Sequence, residues 1–200
     1  MMLTFKCLSG AALHQYIDEL AQLRMQVFRD FPYLYDGDAA YEARYLSTYI
    51  EAPDSIIVLA FDGAKAVGAS TGVPLKHETT EVKQPFVEAG FDTERIFYCG
   101  ESVLLPQYRG QGAGVAFFEY REAHAMSIAG ITHSCFCAVE RPADHPARPA
   151  RPADFQPLDT FWQHRGYQKC ADLTTTFSWK EVGESEESAK PMTFWMKALT

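Results

Sequence analysis

Nowhere in this 200-residue chain do apolar residues run for the ~18 positions that a membrane span requires. Met1 to Ala12 shows no basic start followed by an apolar stretch, so no secretory leader is expected there. Cysteine is sparse and scattered. Cys7, Cys99, Cys135, Cys137 and Cys170 are odd in number and contain no CxxC pair, which argues against a disulfide frame or a zinc site and for reduced thiols, with no metal expected. Positive charge is also short: 18 Lys and Arg against 26 Asp and Glu leave a net charge of −8. A protein that coats nucleic acid needs the opposite balance. These absences lead us to expect a cytoplasmic protein with neither nucleic acid nor membrane as partner. The acidic balance is compatible with a cationic amine substrate. What is present is ordinary: 47% apolar and 22% charged residues make a soluble globule, and the length suits one domain over residues 1–200.

Hydrophobic periodicity lays out the chain. Leu3 to Leu8 alternates as a strand, and Leu13, Ile17, Leu20, Leu23 and Val27 recur at helical spacing over Ala12 to Phe28. Pro32 and Gly37 break the segment RDFPYLYDGD before a second helix, about Ala39 to Ile50. SIIVLAF (Ser55 to Phe61), the turn Asp62-Gly63 and Ala66 to Val73 form a hairpin. His77 to Gly90, with Glu78, Glu81 and Glu88, is a helical or irregular insertion, and Phe91 to Leu105 leads into a central strand. A helix follows, with Val115, Phe118 and Met126 expected on its inner side and Arg121 on its polar side. Ile131 to Val139 is another buried strand. Glu140 to Pro157 then holds five of the eleven prolines and repeats RPAD, which neither a helix nor an inner strand accommodates. A short helix, Leu158 to His164, and two strands, Leu173 to Val182 and Pro191 to Leu199, close the chain. The pattern is an α+β domain on a mixed sheet; the closing strands, if exposed, could pair two subunits into a homodimer.

Between the central strand and its helix lies Arg109-Gly110-Gln111-Gly112-Ala113-Gly114. The first N–H groups of a helix lack internal partners and carry roughly half a positive charge. Glycines there let a phosphate approach the backbone. No Lys-Ser or Lys-Thr follows, which a Walker loop needs, and Val115 stands where a dinucleotide fingerprint needs a small residue. The segment resembles the signature Arg/Gln-x-x-Gly-x-Gly/Ala of the GNAT superfamily of N-acetyltransferases, carried here by Arg109, Gly112 and Gly114. FWQHRGY (Phe161 to Tyr167) is similar to that family's Phe-Tyr-x-x-x-Gly-Phe, and MTFWMKAL to its closing strand. The resemblance implies an α/β/α sandwich around a mostly antiparallel sheet splayed between its fourth and fifth strands, with the segment at about 140–157 as an inserted loop.

The same resemblance implies acetyl-CoA as co-substrate, its pyrophosphate held by Arg109, Gly110, Gln111, Gly112, Ala113 and Gly114. Its pantetheine arm would lie along Val103, Leu104 and Leu105, where a backbone N–H, that of Leu104 for instance, would polarise the thioester. The acceptor would be a primary amine of a small molecule or peptide, attacking directly in a ternary complex. An amine of pKa ~10.4 gives up roughly 4–5 kcal/mol if it must first lose a proton at pH 7, so a base is wanted. Glu101 is the first candidate, by strand alternation with Val103 and Leu105; alternatively it is the partner of a buried arginine or a simple charge at the strand end. Glu140 is the second. The family's acid position holds Trp162, which has no useful proton, so His164 or Tyr98 would substitute, or water. Phe31, Tyr33, Tyr35 and Asp36 are the acceptor-binding candidates, aromatic walls with an acid for an ammonium group. Arg141, His145, Arg148 and Arg151 form a basic run, a lid or a stiff surface loop. The competing reading is a module that binds acyl-CoA without turnover.

Overall fold

Ile56 to Ala60 carries no polar side chain, so a strand there must be covered on both faces. In the computed structural model, which describes residues 2–141 and 151–200, it is: β2 (Ile56–Asp62) is buried from its start through Ala60. It pairs antiparallel with β1 (Thr4–Leu8) on one side and, through the expected hairpin, with β3 (Lys65–Pro74) on the other. β4 (Ile96–Tyr98) and β5 (Ser102–Leu104) both pair with β3. β6 (His133–Val139) runs parallel to β4, and β8 (Ser188–Ala198) lies antiparallel between β6 and β7 (Gln168–Trp179). The result is a mixed, mostly antiparallel sheet of eight strands in the order β1-β2-β3-β4-β6-β8-β7, with β5 continuing β4 along β3.

The central strand is therefore two strands. β4 bonds to β6 from Ile96 to Tyr98, and Cys99 N–H still reaches Cys135 O at 2.8 Å. Past Gly100 the chain keeps β3 and leaves β6, so β5 pairs with β3 alone. This is the splay between the fourth and fifth strands, if β4 and β5 count as one strand. Its cause is a tight crossing at Gly100, where a Cβ would sit 2.1 Å from Tyr49 Oη and 2.6 Å from Thr71 Oγ1.

Helices cover both faces. α1 (Ile17–Phe28) follows a 3-10 turn over Gly10–Tyr16, where one continuous helix was expected. α2 (Ala39–Glu51) is capped by Asp38, whose Oδ1 accepts from Tyr41 N–H at 2.8 Å, and buries Glu42, Leu46 and Tyr49 along one stripe. α3 (Thr80–Glu88) lies within the insertion and buries Val82 and Phe86 beside Leu75 and Phe194. α4 (Ala113–Ser127) buries Phe117, Phe118, Arg121 and Ala125. That corrects the expected inner side: Met126 is 53% exposed and Arg121 only 1%. The i, i+4, i+8 stripe through Phe117, Arg121 and Ala125 faces the sheet because the guanidinium finds backbone carbonyls there. α5 (Asp159–His164) lays Trp162 over Phe136 and Trp195, ring centroids 5.0 and 5.1 Å away. Side-chain alternation separates the two faces of β3. Gly68 and Gly72 turn toward Phe117 and Phe97 on the α4 side, and Thr71 turns toward Tyr49 of α2.

Candidate active site

The glycine turn delivers α4 with its first amides bare. Gly110 and Gly112 take φ of +75° and +87°, where side chains are disfavoured, and Gly112 caps the helix with no side-chain bond. The first helical bond runs from Ala116 N–H to Gly112 O at 3.1 Å, so Ala113, Gly114 and Val115 have no acceptor within the helix. Above Gly110 and Gly112 there is nothing within 4 Å of where a Cβ would stand. Gly114 serves packing instead, since its Cβ would meet Phe161 of α5 at 3.3 Å. Arg109 and Gln111 are exposed, with Arg109 Nε 3.4 Å from Leu104 O and Gln111 Nε2 3.2 Å from Gln107 O.

The register of β5 sets which amides face the splay. Leu105 N–H donates to Val67 O at 3.0 Å and Thr71 N–H to Glu101 O at 3.1 Å. Across Gly68↔Leu104 and Ser70↔Ser102 these are wide, non-hydrogen-bonded pairs. The N–H and C=O of Ser102 and Leu104 consequently point away from β3, toward the opened side. Val103 and Leu105 bury their side chains and give their backbone to β3. Arg121 holds this bend from the α4 side. Its Nη1 donates to Thr71 O (3.2 Å) and Glu101 O (3.0 Å), and its Nε to Phe117 O (3.2 Å). A buried guanidinium satisfied by carbonyls is a rigid clamp on the splay.

Beneath the bend, on the α1 and α2 side, lies a buried polar cluster. Arg24 pairs with Glu42 and, at 2.7 Å, with Glu101 Oε1; its guanidinium also stacks 3.9 Å over the Tyr45 ring. Tyr45 donates to Glu101 Oε2 at 2.5 Å, Tyr45 and Tyr49 hydroxyls stand 3.0 Å apart, and Tyr49 reaches Glu78 Oε1 at 3.1 Å. Tyr98 meets Cys137 Sγ at 3.2 Å. Burial pushes the Cys137 thiol up to about 12 and Cys135 well above the usual thiol value. Neither is a thiolate near neutrality, so neither is fit to be a nucleophile.

A cavity of about 290 Å³ is walled by Phe31, Tyr33, Ala138, Glu140, Arg141 and Trp162 among others. A second, of about 300 Å³, lies around Lys76, Arg95 and Ile131 at the far end of α4 and touches none of the expected site residues.

Glycine turn, splayed strand and the helix α4 occur together over a matched stretch of sequence: the model of the Acetyltransferase (GNAT) family fits residues 17–150. The chain belongs to the GNAT family. No curated protein matches its sequence. Solved structures match across nearly the whole chain. Ribosomal-protein-alanine N-acetyltransferase from Brucella melitensis shares 12% identity at a TM-score of 0.61, covering 98% of this chain and 99% of its own. NAA60 of Arabidopsis thaliana, in complex with acetyl-CoA, shares 11% at 0.62 with 99% of each chain covered. yncA of Salmonella typhimurium, with acetyl-CoA, shares 9% at 0.60, covering 100% and 95%. These are likenesses of fold.

On this GNAT frame the expected residues fall in three places. Glu101 lies at the splay, bound to a buried arginine, Arg24. Its carbonyl rather than a strand position is what the bend fixes, since Glu101 precedes β5. Phe31, Tyr33 and Glu140 line the cavity. Burial raises Glu140, but hydrogen bonds from Lys169, 2.6 Å away, and Thr193 outweigh it and leave the carboxyl below the usual range. Tyr35, Asp36 and His164 stand outside the cavity lining. Tyr35 packs on Tyr41, Asp36 pairs with Lys180 (3.0 Å) and Arg29 (3.2 Å), and His164 is exposed at the end of α5. Of the basic run, Arg141 is buried against Glu181 and donates to Tyr33 O, while Arg151 lies 5.9 Å over Phe31. His145 and Arg148 lie outside the described residues. Sequence reasoning missed Arg24, Tyr45, Tyr49, Glu78 and Arg121. Only Arg24 had a signal: a charge falling on the buried stripe of α1, one residue past Leu23 and four past Leu20.

Proposed function

We propose that this GNAT protein transfers the acetyl group of acetyl-CoA to a primary amine of a small molecule or peptide, directly within a ternary complex. The observation that carries this is the succession of three features along one stretch of chain: the Arg24-bound carboxylate of Glu101, the outward amides of β5, and the uncapped α4 N-terminus. The amides of Ala113, Gly114 and Val115 suit a pyrophosphate. The Leu104 N–H, turned to the opened side, suits the thioester arm, and one such donor to a developing oxyanion supplies about 3–4 kcal/mol. Cys135 and Cys137 hold their protons, which favours direct transfer over an acyl-cysteine.

Glu101 attracts the acceptor ammonium and takes its proton, through water where the carboxylate is engaged by Arg24 and Tyr45. Phe31 and Tyr33 offer aromatic faces to the same cation. Glu140 is the second candidate base, its charged form stabilised by Lys169. Trp162 cannot protonate the departing thiolate; water suffices for a leaving group of pKa ~8–9. Thiol release measured with a panel of amines tests this. Glu101→Gln keeps Arg24 an acceptor and is expected to lower kcat/KM by about 10²–10⁴ while acetyl-CoA binding stays intact. Trp162 is what favours the second reading, a non-catalytic acyl-CoA-binding module. Coenzyme binding without thiol release from any amine would establish that module and end the enzymatic proposal.

A further inference from the structure

The chain Glu101–Tyr45–Tyr49–Glu78 contains more hydrogen bonds than its hydroxyls can supply. Three contacts link four residues: 2.5 Å from Glu101 Oε2 to Tyr45, 3.0 Å between the phenols, and 3.1 Å from Tyr49 to Glu78 Oε1. Each contact needs one hydrogen, and two phenols bring only two. Both phenols keep their protons, since burial pushes Tyr45 and Tyr49 well above the ordinary tyrosine value. The third hydrogen must come from a carboxyl. Glu101 is the charged end, with Arg24 Nη1 at 2.7 Å from its other oxygen. Glu78 is 8% exposed, and its remaining oxygen accepts only the Thr79 N–H at 3.3 Å.

Charge counting agrees. Around the cluster stand Arg24 of α1, Glu42, Tyr45 and Tyr49 of α2, Glu78 before α3, Lys83 on α3, Tyr98 of β4, Glu101 before β5, Arg121 of α4 and Cys137 of β6. Among the described residues two cations are buried at the cluster: Arg24, already shared by Glu42 and Glu101, and Arg121, which donates to the carbonyls of Thr71 and Glu101; Lys83 is half-buried and donates to Lys76 O. A third buried anion would be uncompensated.

We propose that Glu78 is a positioning residue that carries a proton at neutral pH and, by donating it to Tyr49, orients the two phenols so that Tyr45 donates to Glu101. Burial raises the Glu78 carboxyl and outweighs the lowering hydrogen bonds of Thr79 and Tyr49, with the charge of Glu101 adding to the rise, so the net direction is the same. Glu101 and Glu78 thus share a single proton across two tyrosines. Inversion of the chain moves three protons one step each: Glu78 to Tyr49, Tyr49 to Tyr45, Tyr45 to Glu101. It leaves Glu78 anionic and Glu101 neutral with no net gain or loss. The state of Glu78 therefore sets the basicity of Glu101. This rests on Glu101 being the base of the proposed reaction, but the protonation itself does not.

The test is carbon NMR of protein labelled at glutamate side-chain carboxyls, with Glu78→Gln and Glu101→Gln assigning the two signals. At pH 7 the signal lost in Glu78→Gln is expected at the position of a protonated acid in the wild type. As pH rises the same signal is expected to move to the position of a carboxylate. In activity, Glu78→Gln removes one ionisation from the pH profile of kcat/KM, and Tyr49→Phe lowers kcat about tenfold with KM for acetyl-CoA unchanged. If either variant does not fold, through-bond assignment of the wild type reads the same protonation state. An ionised Glu78 at pH 7 overturns the proposal. A protonated Glu78 in a protein that acetylates no amine upholds it and defeats the enzymatic reading alone.

Discussion

The proposed site has a phosphate end and an amine end, and the two are built from different material. The phosphate end is local and made of backbone: six consecutive residues, Arg109 to Gly114, turn through two glycines of positive φ and present amides. The amine end is assembled from a distance and made of side chains. Arg24, Glu42, Tyr45, Tyr49, Glu78 and Glu101 come from four separate segments and meet only because β3, α1, α2 and the bend at Gly100 pack as they do. The difference teaches where tolerance lies. A backbone site depends on a few dihedral angles, whereas a buried charge network fails at any member.

That contrast can be broken from either side. The largest effect is expected at the amine end, where Arg24→Met leaves Glu42 and Glu101 buried without a counter-charge. Urea denaturation should show a loss of about 3–5 kcal/mol. Gly100→Ala comes next, because its Cβ would strike Tyr49 Oη and Thr71 Oγ1 at 2.1 and 2.6 Å. A loss of about 1–3 kcal/mol in stability is expected, as for other overpacked sites, with thiol release falling alongside. Gly112→Ala meets no neighbour and costs only its left-handed backbone, about 1–2 kcal/mol; it should weaken acetyl-CoA binding more than it slows turnover at saturation. The smallest effect is one of pH. Glu78 has its carboxyl raised by burial, so the fold binds its proton more tightly than the unfolded chain does. That stabilisation is complete below the unfolded carboxylate pKa and is lost as pH rises toward the folded one. Glu78→Gln removes the loss, so its stability advantage over wild type should grow with pH across that window, as read by urea titrations at a series of pH values.

The same contrast explains what the amino-acid order reveals. The glycine turn, the hairpin at Asp62-Gly63 and the buried run of β2 are written in neighbouring residues, and their places in the fold agree with expectation. Glu101 was picked out because it abuts the coenzyme strand, and its alternative, a bond to a buried arginine, is what the geometry contains. Its phenol partners were not visible. Tyr45 and Tyr49 read as ordinary residues of an amphipathic helix, and Glu78 as one acid of an insertion. Periodicity also misplaced Arg121, since it assigns a charge outward unless carbonyls are waiting inside. Asp36 shares a loop with Phe31 and Tyr33, but its pairs with Lys180 and Arg29 come from elements far along the chain and on the neighbouring helix end. The split of the central strand at Gly100 depends on a contact with α2 that no local pattern encodes.

Titration calorimetry of the folded protein with acetyl-CoA addresses the central claim, that bare amides at α4 and the outward amides of β5 form one binding surface ending at Glu101. One molecule is expected to bind per chain, more weakly to Gly112→Ala and equally well to Glu101→Gln. Well-folded wild-type protein that gives no binding heat at any temperature tried would contradict it.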